Sequence, residues 1–388
     1  MTDGPDSPHD RAQQLALLRF VVRDHPPPPA TVGDRRSDLA PVDPVAEVLV
    51  ETGLSHLDRP FDYLVLADQH EAAQPGVRVK VRFAGRDLPG YVVARKPHAD
   101  HDGKLSPLRR VVSPEVVLTP ALLDLATAVA ARCAGSVGDV LRLAIPPRHA
   151  RAEQALATEA PEQPELDGDR ITWGESGPPA WRRYPAGAAF LRRVAGGEAP
   201  RAVWNALPAP SGDQDWPAAL AQAAVVTHLG GRSSLIVLPD RRDVYRVDGA
   251  LTELVGRGRH VVLTADQGPQ ARYTAWLKVL RGHVDIVIGT RAAAFAPLQN
   301  CGLAAWWDDG DDLHDEPRAP YPHVREVLRQ RAALEGSALL TGGFAVSPAV
   351  ARLVAQGEFK AITPHPDRSA VPRVRVAGEG VDPERDGP

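Results

Sequence analysis

From Trp181 onward, short apolar runs alternate with longer helical patterns, and this alternation constrains the fold more than any other feature. The runs are Ser234–Pro239, His260–Thr264, Val284–Gly289, Leu303–Trp307 and Ala338–Thr341. Helical spacing fills the gaps at roughly 241–256, 270–281, 321–334 and 347–356. A strand without a polar face is buried on both sides, and strands alternating with helices predict a parallel sheet covered on both faces. Upstream the pattern differs. Segments 45–51, 61–65, 77–83 and 90–95 read as strands separated by Pro/Gly turns, and Pro120–Cys133 and Val137–Leu143 read as helices. The expected layout is a disordered tail at 1–44, a small β-rich domain at 45–151, a polar linker at 152–180, an α/β domain at 181–365 and a disordered end at 366–388.

The chain has 388 residues and a formal net charge of -4, which excludes a globally basic nucleic-acid binder. Any DNA affinity must therefore come from a local patch. Residues 76–110 supply one, with nine Lys/Arg against three Asp. Val77–Phe83 places Val, Val, Val and Phe on one face of a strand and Arg78, Lys80 and Arg82 on the other. The two cysteines, Cys133 and Cys301, have no paired spacing, which argues against a disulfide framework or a zinc site and fits a reducing cytoplasm. No apolar run approaches the ~18 residues of a membrane span. His314 and His323 have no partners at metal spacing, so no metal site is expected.

The stretch after Arg201 lies where a phosphate loop would enter such a sheet. A working loop needs Gly-x-x-x-x-Gly-Lys-Ser/Thr, so that backbone N–H groups and a lysine surround the phosphates. Over Leu207–Gln214 only Gly212 fits. Pro208 and Pro210 lack an N–H, Asp213 stands at the lysine position and Gln214 at the hydroxyl position. The acidic run from Asp308 and Asp309 to Glu316 reads best as a solvated loop.

Val284-Asp-Ile-Val-Ile-Gly-Thr-Arg291 resembles the strand and Gly-Thr-Arg loop of a superfamily 2 helicase lobe, and Asp308-Asp-Gly-Asp-Asp312 sits at the place of its Asp-Glu box. Pro317–Arg325, together with Leu57–Val65, Gly76–Gly85 and Gly138–Pro146, resembles the primosomal replication-restart helicase family, PriA, over about 45–365. The likeness is greatest to its actinobacterial branch, where the motor motifs are degenerate. The resemblance implies an α/β multidomain chain: a barrel-like domain that binds DNA 3′ ends, and one RecA-like parallel α/β helicase lobe.

By the same resemblance Asp62 accepts the terminal ribose hydroxyl, and Phe61 and Tyr63 line the base pocket. Gly85 lets the backbone approach closely, and Arg109 is the basic pocket residue. Arg78, Lys80, Arg82, Arg86, Lys104, Arg110, Thr290 and Arg291 are expected to contact the DNA backbone. Gly212, Asp213, Gln214, Asp308 and Asp309 would form a degenerate nucleotide site. The glutamine that reads adenine in the family falls near Gly187, and Asp309 replaces the catalytic glutamate.

No catalytic residue and no cofactor are expected in this chain. The family's ATP and Mg²⁺ would lack their loop, and its zinc sites would follow residue 388, together with the second motor lobe. A winged-helix domain does not fit in the 29-residue linker. The chain is expected to be a fragment or a truncated product. The resulting expectation is a cytoplasmic, nucleoid-associated replication-restart protein. It would bind forked and single-stranded DNA and work with primosome proteins and single-strand-binding protein. An ATP-dependent helicase with a divergent site and a primosome scaffold are the alternatives.

Overall fold

The computed structural model describes residues 38–100, 103–157, 173, 177–208 and 212–364. The disorder expected at the two ends, most of the linker and Pro210 lie outside these residues.

The first domain is an antiparallel sheet in the order β2-β1-β4-β3-β5. Its strands are β1 (Val45–Val50), β2 (Pro60–Leu64), β3 (Val77–Phe83), β4 (Arg86–Lys96) and β5 (Arg110–Val116). Strand alternation sends Val77, Val79 and Val81 inward with Val48, Val50, Tyr63 and Val92. A bridge between Leu64 and Pro107 draws the two edges together into a barrel. β5 was not evident from the sequence, because Pro114 interrupts its pattern. The ordered start also lies before residue 45. Ala40 is buried, its N–H donates to Val65 O at 2.9 Å, and the Arg95 guanidinium donates to the carbonyls of Asp43 (2.6 Å) and Val42 (2.7 Å).

Two helices, α1 (Pro120–Arg132) and α2 (Val137–Ala144), follow the barrel. Thr119 and Ser136 cap them by accepting from Leu122 N and Asp139 N. The expected linker begins with a helix instead. α3 (Ala150–Ala157) buries Ala152 and Leu156 and packs on the lobe, so its small residues are apolar contacts rather than spacer.

The lobe is a seven-stranded sheet in the order β12-β6-β11-β10-β7-β9-β8. Its strands are β6 (Arg201–Asn205), β7 (Ser233–Val237), β8 (His260–Leu263), β9 (Ile286–Gly289), β10 (Cys301–Trp307), β11 (Ala338–Gly343) and β12 (Lys360–Ile362). All pairings are parallel. The connecting helices are α4 (Pro185–Ala195), α5 (Trp216–Leu229), α6 (Arg241–Val255), α7 (Pro269–Leu280), α8 (Val324–Glu335) and α9 (Pro348–Ala355). This is the expected parallel α/β lobe. Alternation persists within the buried strands: Trp306 packs on one side of the sheet and Trp307 on the other. Among the described residues no helix is long and apolar enough to cross a membrane.

The two domains share one apolar layer. α1 lies on α8, α3 lies on α7, and Leu122, Leu125 and Leu141 join the cluster that holds Leu277, Val327 and Leu328. Arg281 grips Glu115 through two bonds of 3.1 and 2.7 Å, and Tyr273 Oη donates to Glu153 at 2.8 Å.

The glycine of the Gly-Thr-Arg loop is required by space. A Cβ at Gly289 would sit 2.0 Å from the backbone oxygen of Leu263 and 2.8 Å from Ala293 Cβ. Backbone in a paired strand cannot yield, so Gly289→Ala is expected to cost about 1–3 kcal/mol, at the upper end of overpacking effects. Urea unfolding checks this, and an unchanged midpoint would contradict the packing.

Candidate nucleic-acid interface and nucleotide position

The β3–β4 hairpin turns through Ala84 and Gly85, both at positive φ (45° and 78°), as a two-residue hairpin turn demands. At its base Phe61 meets Phe83 edge-on at 4.8 Å, and Arg59 lies over the Phe61 ring. Arg82 and Arg109 both reach Asp87, at 3.2 and 3.4 Å. The bond from Arg82 is the largest of the influences that hold the Asp87 carboxyl below its usual range. The hairpin end thus has Phe61 and Arg109 beside Gly85 and adds Phe83, which the sequence did not single out.

Tyr63 and Asp62 stand elsewhere. Tyr63 is a barrel core residue. Its hydroxyl donates to Arg82 O at 3.2 Å, and burial pushes it up to about 12. Asp62 projects from the opposite face of β2, beside Glu47 of β1. Lys96 Nζ lies 3.0 Å from Asp62, 2.9 Å from Glu47 and 2.6 Å from Asp100, and Asp100 N also donates to Asp62 at 3.2 Å. These three carboxylates form the group closest to metal-ligand geometry among the described residues, and the ammonium already provides their cation. Hydrogen bonds from Lys96, that to Asp100 foremost, raise its own pKa. Lys96 is a functional neighbour that strand reading alone does not reveal, because its partners come from three separate segments.

Several basic residues of the patch are already committed. Arg78 donates to Pro146 O at 2.5 Å beneath the domain seam, Arg95 anchors the first ordered segment and Lys96 is enclosed by acids. Arg78 is therefore not an open backbone contact, as the sequence suggested. Lys80, Arg86, Lys104 and Arg110 have no carboxylate partner among the described residues, and the last three are exposed. In the lobe, Arg291 bonds Glu316 (2.9 Å) and Leu313 O (3.1 Å), which ties the strand-end loop to the acidic loop. Thr290 N donates to Leu263 O.

The nucleotide position lies at the C-terminal edge of the parallel strands. Gly212, Asp213 and Gln214 are exposed there. The head of α5 is occupied from within the chain. Asp215 caps it by accepting from Trp216 N, and Arg246 pairs with the same carboxylate at 2.8 Å. The buried Trp216 ring stacks on Trp307 at 4.3 Å, with Arg246 over Trp216. Leu207 N donates to Tyr184 Oη, and Gln222 Nε2 to Asp213 O. A Cβ on Gly187 would meet Trp181 at 2.8 Å, so packing leaves no room for a side chain there. Asp308 is raised by burial, with Asp311 adding to the shift. Asp309 departs from the solvated reading. It is buried and accepts from Trp306 Nε1 (2.8 Å), Arg325 (2.6 Å) and Ser347 Oγ.

The 3′DNA-binding domain (3′BD) model of PriA proteins matches residues 47–146, the barrel with its first helices. The first domain is thus similar to the 3′DNA-binding domain of PriA proteins. The chain is 46% identical over 334 residues to the probable replication restart protein PriA of Mycobacterium tuberculosis (strain CDC 1551 / Oshkosh), covering 85% of this chain and 49% of that protein. It is also 46% identical over 303 residues to the corresponding protein of Mycobacterium leprae (strain TN), covering 78% and 45%. The similarity to PriA replication restart proteins thus runs over most of this chain, which spans about half the length of the curated relatives it matches. Among solved structures, a DEAD box protein from Methanococcus jannaschii overlays with a TM-score of 0.33 at 13% identity, covering 45% of this chain and 48% of that one.

Two histidines give this region a pH dependence. Burial holds His314 and His323 below the ordinary 6.5. His314 Nε2 donates to Trp307 O at 2.7 Å, and His323 Nδ1 accepts from Arg325 N at 2.9 Å as the cap of α8. A depressed folded value means that their stability contribution is present above pH 6.5 and is lost as pH falls below it. His323→Asn keeps a capping acceptor without the titration. Urea unfolding across pH should show a smaller loss below pH 6.5 in this variant than in the wild type.

Proposed function

We propose that this chain binds DNA exposing a free 3′ end, as at a stalled fork, and serves replication restart without ATP-driven unwinding. The observation that carries the reading is the match of the 3′ DNA-binding model to a barrel whose hairpin presents Phe61, Phe83, Gly85 and Arg109 together. Aromatic faces take the last base by stacking, and guanidinium groups take the phosphate. The terminal hydroxyl falls to Asp62 by the family resemblance alone, since Asp62 lies on the face of β2 opposite Phe61. Each of its oxygens already accepts one bond and keeps a second acceptor position. Lys96 orients the carboxylate. Primosome proteins and single-strand-binding protein are the partners this role requires.

The lobe's residues do not fit a nucleoside triphosphate. A helix head binds phosphate through free N–H groups and its positive end. Here Asp215 takes that place, no lysine follows Gly212, and Pro208 has no N–H to give. Asp309 is turned into a buried network, away from the role of its counterpart in the family's Asp-Glu box. The lobe is read as a scaffold and a DNA contact.

The purified chain should bind a 3′-hydroxyl fork more tightly than the same fork ending in 3′-phosphate. Asp62→Ala should remove that preference while keeping most salt-sensitive affinity, since phosphate contacts position and the pocket specifies. Equal affinity of the wild type for both ends contradicts the reading. DNA-stimulated phosphate release should stay at background. Turnover that vanishes on Asp308→Ala would instead establish an ATP-driven enzyme.

A further inference from the structure

A cavity of about 600 Å³ lies at the seam between barrel and lobe. Arg78, Lys80, Arg142, Arg148 and Arg318 line it, against Glu51 and Asp139. Arg142 is paired with Asp139, and Arg148 with Glu153 at 2.6 Å. Arg78 lies over the Tyr91 and Tyr273 rings, with Glu51 as a charge partner, whereas Lys80 and Arg318 are not matched in this way. Arg78 Nη1 is buried without a hydrogen-bond partner among the described residues. Lys80 and Arg318 have no carboxylate partner among those residues either, and Arg318 is exposed.

Both walls also carry like charges in close company. Lys80 of β3 stands directly opposite Arg110 of β5, an arrangement that destabilises a sheet by itself. On the lobe side, burial first and then the like charge of Arg318 hold Arg272 of α7 below the usual guanidinium value. Unpaired cations gathered on two facing surfaces cost free energy in the isolated protein, and a polyanion offsets that cost. The row has a direction. Arg78, Lys80 and Arg82 share one face of β3, spaced roughly 6.8 Å apart, and run from the cavity to the hairpin that holds Arg109.

We propose that this seam is a phosphate track. Lys80 and Arg110 on the barrel, and Arg318 on the lobe, grip the sugar–phosphate backbone of the strand whose 3′ end lies at the hairpin. The inference rests on the 3′-end reading above and gives the lobe a share in DNA binding. The contacts are charge to phosphate, so they are independent of base sequence. A free pyrophosphate or nucleotide offers the same chemistry. The continuation of the row along β3, outside the cavity, favours a strand.

The test uses the full chain and fluorescence anisotropy over a salt series. The probes are 3′-hydroxyl single strands of two lengths: one that reaches only the hairpin, and one long enough to cross the seam. Arg318→Glu and Lys80→Glu should each weaken the long strand about tenfold and lower its salt slope by about one to two units. The short strand should change by less than about twofold with Arg318→Glu, and the 3′-hydroxyl preference should persist. Arg318→Gln, at an exposed position, should fold as the wild type does and show an intermediate loss. Wild-type affinity of both reversal variants for the long strand, with the preference intact, overturns the track and leaves the 3′-end reading standing. Loss of the preference in the wild type itself removes that reading. Pyrophosphate is run as a competitor. If Arg318→Glu abolishes pyrophosphate binding but leaves strand binding unchanged, the site takes free phosphates and the track is refuted.

Discussion

The apolar layer between the barrel's helices and the lobe is the constraint on which the rest of the molecule depends. Each central lobe strand is buried on both faces and therefore needs cover on both sides. On one side the cover is completed by α1 and α2, which belong to the other domain. Glu115–Arg281 and Tyr273–Glu153 fix the register of that contact with groups that are largely withdrawn from water. Even the loop beyond the acidic run takes part, since Pro320 lies where a Cβ on Gly135 would be only 2.2 Å away. The barrel and the lobe therefore present their charged surfaces to a ligand in a fixed relation.

Within that frame, the charges near the 3′-end domain divide into structural and available groups. Arg95 serves carbonyls, Lys96 serves three acids and Arg78 serves the seam. Asp87 keeps Arg82 and Arg109 together while leaving them exposed to solvent. A count of basic residues along the sequence thus overstates the phosphate footprint. The charges that remain open are fewer, and they come from β3, from the start of β4, from the loop before β5 and from the start of β5.

Much of the fold was legible because it rests on local rules. Val77–Phe83 declared its two faces by alternation, and the lobe strands declared themselves as apolar runs between helices. α5 was not legible: Trp216 to Val225 is apolar or small all round, so no helical period stands out in a helix that is buried on every side. β6 was hidden behind the search for a phosphate loop, and α3 behind polar composition. The site was half legible. Phe61 meets Phe83 and Arg109 reaches Asp87 because barrel closure brings β2 and the start of β5 to the hairpin. Tyr63 turns inward and Asp62 faces the other side, since alternation applies to functional residues as well. The Lys96 cluster and the Asp309 network depend on segments far apart in sequence, and no local pattern reports such meetings.

Asp215 changes what kind of object the lobe is. A phosphate held at a helix head is a visitor, and its coming and going makes a protein responsive, because two states then differ in affinity for it. A carboxylate fixed to the chain, and paired with Arg246, has an effective occupancy that no concentration alters. On the reading proposed above, in which the lobe takes no nucleotide, the end of α5 keeps one electrostatic state whatever the nucleotide supply.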